Sequence, residues 1–137
     1  MPLTVRDVTH DLIIIDAGES VFEATKKMSE KKIGSIIVEE NGKPTGIISE
    51  RDVITRANAR DLDLKETKCR EIMSAPLIKV SSRAGLHEAT HLMEENNVKK
   101  LLVTDNDGKI VGVVSMTDLL RPVATVFDLV DMMRKFI

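Results

Sequence analysis

The chain has 137 residues, 42% of them apolar and 31% charged, with a formal net charge of −2. That is room for one domain or two small repeats, and a near-neutral balance announces no basic nucleic-acid surface. With no Trp, no Tyr and three Phe, the chain has no aromatic platform for stacked bases, and no apolar run reaches the ~18 residues of a membrane span. The polar N-terminal stretch is unlike a signal peptide, and the single Cys69 has no internal disulfide partner, so a cytoplasmic setting is expected.

Leu12-Ile13-Ile14-Ile15 is a short apolar run with polar flanks and reads as a buried strand. Glu19-Ser20 then open a helix to about Lys31, with Val21, Ala24 and Met28 at spacings of three and four. Strands over residues 35–39 and 45–49 flank Asn41-Gly42, a hairpin pair in which both residues tolerate positive φ. A helix from Glu50 to about Ala59 follows, then a polar linker over 60–68. The order then recurs: a helical turn over 70–73, a strand over 77–80 and a helix from Leu86 to about Asn96. A strand over 100–104, a turn at Asp107-Gly108, a strand over 110–114 and a helix from Met116 complete it.

The recurrence extends to the letters. Gly46-Ile47-Ile48-Ser49-Glu50-Arg51-Asp52-Val53 returns 66 residues on as Gly112-Val113-Val114-Ser115-Met116-Thr117-Asp118-Leu119. Glu23-Ala24-Thr25 returns as Glu88-Ala89-Thr90 at an offset of 65, and the slip of one falls in the hairpin turn. Repeat 1 is read over 1–59, the linker over 60–68, repeat 2 over 69–121 and a C-terminal amphipathic helix over 122–137. Each repeat is β-α-β-β-α, an α/β (α+β) fold, and neither closes a core with ease alone, so the two are expected to pack through their sheets. The last fifteen residues are apolar over most of a helix's girth, which calls for their own domain and a second subunit to pack against.

In both copies a strand ends at Gly-x-x-Ser and a helix begins, with Asp three residues after the Ser. One reading is a helix cap, Ser at N-cap with an acid at N3. The other is a ligand site: free N–H groups and a hydroxyl for a phosphate, a carboxylate for a ribose diol, and Gly46 and Gly112 for close approach of the ligand.

The tandem order, these two strings and the lead-in Glu71-Ile72-Met73-Ser74-Ala75-Pro76 resemble a pair of cystathionine-β-synthase (CBS) domains over roughly residues 5–121. The resemblance implies two repeats related by a pseudo-twofold axis, with two clefts for adenosine-containing ligands such as AMP, ADP, ATP, S-adenosylmethionine or NAD. Carried onto this chain, one site takes Ser49, Arg51 and Asp52, with Ala75, Pro76, Leu77 and Ile78 around the base. The other takes Ser115, Thr117 and Asp118, with His10, Asp11, Leu12 and Ile13. A basic residue that the family often places before the second strand is Lys99 or Lys100 in copy two, where copy one has Gly34 and Ser35. Phosphate electrostatics therefore favour the second site, and the first relies on Arg51.

Other signals are weaker. His87-Glu88-Ala89-Thr90-His91 matches the zinc-hydrolase spacing H-E-x-x-H, but Phe22-Glu23-Ala24-Thr25-Lys26 at the same place in copy one assigns Glu-Ala-Thr to the fold. Asp105-Asn106-Asp107-Gly108 lacks the bidentate Glu of a calcium loop and reads as a turn. Cys69 reads as inert despite its basic neighbours, and Met28, Met73 and Met93 as core filler. The chain is thus expected to be a non-enzymatic regulatory module. It would require no cofactor, bind an adenine nucleotide as regulatory ligand, form a homodimer and act on a separate target protein, with no nucleic acid and no membrane. The alternatives are a structural dimerisation module whose Ser-x-x-Asp pairs only cap helices and, more remotely, a metal-dependent hydrolase.

Overall fold

Three consecutive buried residues in the middle of each repeat, Ile36-Ile37-Val38 and Leu101-Leu102-Val103, set the architecture, because a strand apolar on both faces belongs at the centre of a sheet. The computed structural model, which describes residues 3–121 and 133–135, places both there. In the first sheet β1 (Ile14–Asp16) lies parallel to β2 (Ser35–Glu40), which pairs antiparallel with β3 (Lys43–Ser49). The second sheet repeats this order with β4 (Lys79–Ser81), β5 (Lys100–Thr104) and β6 (Ile110–Ser115). A parallel pair needs a crossover, and helices α1 (Val21–Lys31) and α4 (Leu86–Asn96) supply one each.

The connections follow from local chemistry. Ser20 Oγ accepts the Glu23 N–H at 3.1 Å to start α1. The first hairpin turns at Asn41 and Gly42, with φ of 54° and 77°. The wider second hairpin turns around Asp105, whose Oδ1 accepts the N–H groups of Asp107 and Lys109 at 2.9 Å each. Asp105 is therefore a turn-former, as its motif implied. The helix expected from Glu50 to about Ala59 is a short α2 (Glu50–Asp52) running into a π-helical turn over Val53–Asn58. Its counterpart in the second repeat is α5 (Met116–Leu120). Of the C-terminal helix expected over 122–137, residues 133–135 are described and are helical; the rest lies outside the described residues. No described helix is long and apolar enough to cross a membrane.

Two compact units result, and their boundaries differ from those of the repeats. One is Ile13–Leu77; the other joins Met1–Leu12 to Ile78–Ile137. Each sheet is completed by the lead-in of the other repeat. In the first unit the lead-in is α3 (Cys69–Ile72), tied by Cys69 N–H to Glu19 O at 2.8 Å and Arg70 N–H to Ala17 O at 3.1 Å. In the second it is a 3₁₀ turn, Val5–Val8, tied by Val5 N–H to Ala84 O at 2.8 Å and Arg6 N–H to Ser82 O at 3.0 Å. Each unit has its own core. The first is built on Ile15, Val21, Met28, Ile36, Ile48, Cys69 and Ile72, the second on Val5, Val80, Met93, Leu101, Val114 and Leu119. Cys69 stands where Val5 stands, so it fills a core position.

Candidate functional site

Both Ser-x-x-Asp motifs form complete capping boxes. Ser49 N–H donates to Asp52 Oδ2 at 2.9 Å while Ser49 Oγ accepts the Asp52 N–H at 3.1 Å. Ser115 N–H and Oγ–H both reach Asp118 Oδ2, at 2.8 and 2.7 Å, and Ser115 Oγ stands 3.2 Å from the Asp118 nitrogen. In each box Oδ2 is committed to the helix start. The other oxygen, Oδ1, faces the lead-in segment.

The lead-ins fix what Oδ1 meets. His10 and Val113 exchange two backbone hydrogen bonds of 2.9 Å, and Ser74 and Ile47 exchange bonds of 2.8 and 2.9 Å. His10 and Ser74 are thus structural counterparts, at an offset of 64. His10 donates from Nε2 to Asp118 Oδ1 at 2.6 Å, whereas Ser74 Oγ lies 3.5 Å from Asp52 Oδ1. These crossings also account for the glycines. A Cβ on Gly46 would lie 2.6 Å from Met73 Sδ and 2.9 Å from the Ser74 carbonyl oxygen, and one on Gly112 would collide with Thr9 and the His10 carbonyl. The close approach expected of a ligand is made by the protein's own backbone, which corrects the role read for Gly46 and Gly112.

The family model for the CBS domain matches residues 5–58 and again 69–125. The chain is a tandem CBS-domain protein. A CBS domain protein of unknown function from Thermoplasma acidophilum superposes with a TM-score of 0.82 at 27% identity, over 97% of this chain and 75% of that one. A putative signal-transduction protein with CBS domains from Burkholderia ambifaria gives 0.79 at 28% identity, over 90% and 98%. An uncharacterised protein of Methanopyrus kandleri is 37% identical over 112 residues, which is 81% of this chain but 57% of that protein. The chain thus spans little more than half the length of that curated relative.

The two CBS sites differ in charge. Lys100 is the cross-strand neighbour of Ser115, and the buried Ser35 holds the same place beside Ser49. Burial drives the Lys100 amine below the ordinary lysine value, and the Asp118 charge partly opposes this. For Asp118, burial pushes the carboxyl up, but hydrogen bonds from Ser115 and His10, together with the His10 charge, outweigh it. The carboxyl is held below the usual carboxylate value. Beside Asp52 stands Arg56, a residue the sequence reading missed. Its Nε lies 3.7 Å from Oδ1, and its Nη1 donates to the Ile72 and Met73 carbonyls at 3.2 and 3.1 Å. Arg121 stands 3.9 Å from Asp118 Oδ1. Arg56 and Arg121 carry no motif, and only their helical i,i+4 and i,i+3 spacings to the two Asp residues point to them; Ser74 lies in the lead-in string, but only the crossing places it beside Asp52.

The remaining candidates are spread more widely. Arg51, Thr117, Lys99, Ala75, Pro76 and Asp11 are exposed, while Leu12 and Leu77 are half-buried. Ile13 and Ile78 pack against the cores of their own units, and their carbonyls accept from Ile37 and Leu102 at 3.0 and 2.9 Å. Ile13 therefore falls in the other unit from Asp118, and Ile78 in the other from Asp52. An open hollow of about 770 Å³ reaches His10 and Asp11 and is bordered by Arg6 and Arg83, but does not extend to Ser115, Asp118 or Lys100. His91 pairs with Glu95 at 2.9 Å on the exposed face of α4, and no group of three metal-ligating side chains occurs among the described residues.

Proposed function

We propose that this CBS pair is a regulatory module that binds an adenosine-containing ligand, with the stronger site at Asp118. The observation that carries the reading is the arrangement around that carboxylate. It is buried to 7% exposure, held ionised and anchored through Oδ2, which leaves Oδ1, turned to His10 of the lead-in, as the oxygen outside the helix cap. Such an oxygen accepts a ribose hydroxyl. Lys100, on the strand beside Ser115, supplies the cation for a phosphate, and its partial burial strengthens an ionic contact. At Asp52 the corresponding cations are Arg51 and Arg56, so that site is the weaker or takes a different phosphate count.

Binding becomes regulation only when the ligand favours one of two conformations. We take the target to be a separate protein or a further domain, and the assembly to be a homodimer. The apolar sequence of residues 123–137 supports a second copy, and light scattering with and without that segment tests it. A specific observation favours a second reading: both capping boxes are closed by the protein's own Ser and Asp groups, as a purely structural CBS module requires. Thermal unfolding of dialysed protein against AMP, ADP, ATP, S-adenosylmethionine and NAD separates the two. A ligand at a hundred times its Kd adds about 2.7 kcal/mol, a rise on the order of 5 °C or more for a chain of this size. A selective rise that Asp118→Ala abolishes supports the binding reading, and no rise with any of the five supports the structural one.

A further inference from the structure

We propose that His10 is a proton-operated competitor for the ligand at Asp118, so that this site binds adenosine-type ligands less tightly as pH falls while the Asp52 site does not share the response. The inference rests on the ribose-binding reading above and adds its regulation. Asp118 Oδ2 is committed to Ser115, so an incoming hydroxyl has Oδ1 to bond, and Oδ1 is held by His10 at 2.6 Å. The ligand and the imidazole therefore compete for one oxygen. The ring is free to leave. His10 is fixed by its backbone bonds to Val113, while its side chain is 59% exposed, so rotation about the side-chain bonds clears Oδ1 without moving the lead-in.

Histidine changes charge between about pH 5 and 8, and an imidazolium holds a carboxylate more strongly than a neutral ring does. Displacing the ring from Asp118 removes its anionic partner and releases a proton. Ligand affinity then rises as pH rises. Asp118 and Arg121 stand on α5, Lys100 on β5 and Asp11 on the lead-in itself, and Arg6, Arg83 and Asp105 line the hollow that His10 borders. Among the described residues, the His10 ion pair is with Asp118 alone. In the other unit the counterpart is Ser74, at 3.5 Å from Asp52, and a hydroxyl does not titrate here.

The test is calorimetric titration of the full chain with adenosine, which carries no phosphate to titrate, at about pH 5.5 and pH 8. Wild type is compared with His10→Ser, which installs the residue of the other unit and keeps the backbone bonds. Wild type should bind tighter at the higher pH. It should also release protons, seen as a binding heat that varies with the buffer's ionisation enthalpy. His10→Ser should be flat with pH and tighter than wild type at pH 5.5. A flat wild-type profile, or the same slope in both proteins, overturns the competitor and leaves the nucleoside reading standing. No adenosine binding by either protein at either pH overturns the nucleoside reading and the competitor with it.

Discussion

Asp118 divides its two oxygens between fold and surface, and that division makes the residue's energetics testable. Its folded pKa lies below the ordinary value, so the stability it contributes is complete above the unfolded carboxylate pKa of about 3.9 and is lost as pH falls through the folded value. Asp118→Asn should therefore cost about 1–2 kcal/mol at pH 7, the scale of a cap and a charged hydrogen bond. The gap to wild type should narrow below about pH 4; urea unfolding at pH 7 and pH 3 measures both. Lys100 works in the opposite sense. Burial disfavours its charge, so the protonated amine is a cost at every pH below its folded pKa. Lys100→Met should raise stability by about 0.5–2 kcal/mol while weakening AMP more than adenosine, and equal losses for the two ligands would remove its phosphate role. Cys69 is buried, and burial, then Glu19 and Asp16, push its thiol up to about 11. Native protein should resist alkylation at pH 8 while urea-unfolded protein reacts readily.

At the scale of elements, the lead-in crossing carries the most consequence. Backbone bonds between His10 and Val113, and between Ser74 and Ile47, pull one segment over the last strand of each sheet. Thr9 and the His10 carbonyl occupy the space a side chain at 112 would need. Gly112→Ala should thus cost about 1–3 kcal/mol, as overpacking does, and should shift the lead-in carrying His10; a melting curve together with the amide shifts of residues 9–11 reads both. The elements themselves were legible wherever a local rule governed them. Ser20 marked the start of α1, Asn41-Gly42 and Gly108 marked the turns, and the apolar Ile36–Val38 marked a strand. The π-helical turn over Val53–Asn58 was not legible, because an i→i+5 pattern leaves no simple mark in residue spacing.

At the scale of the whole molecule, the units interleave the repeats. Residues 13–77 are contiguous and contain their own lead-in, whereas the sequence repeat over 1–59 lacks α3 and keeps a lead-in that belongs to the other unit. A fragment of residues 13–77 should accordingly show a more cooperative thermal transition by circular dichroism than one of equal length over 1–65. The reverse ranking would show that the lead-in contributes little to the unit it completes.

Periodicity, turn chemistry and the recurrence of Gly-x-x-Ser-x-x-Asp by themselves determined the element order, the tandem repeat and the two carboxylates, because each element and each motif is written in residues close to one another in the chain; the CBS family came from the resemblance of those strings. Tertiary structure alone decided what each carboxylate meets. His10 lies 108 residues from Asp118, and its counterpart is Ser74 rather than the neighbouring Ala75 or Pro76 on which the sequence reading settled. The two lead-ins differ by one residue in their distance to the following strand, so counting along the chain misaligns them. The backbone bonds to Val113 and Ile47 set the register, and with it place a titratable ring at one carboxylate and a hydroxyl at the other.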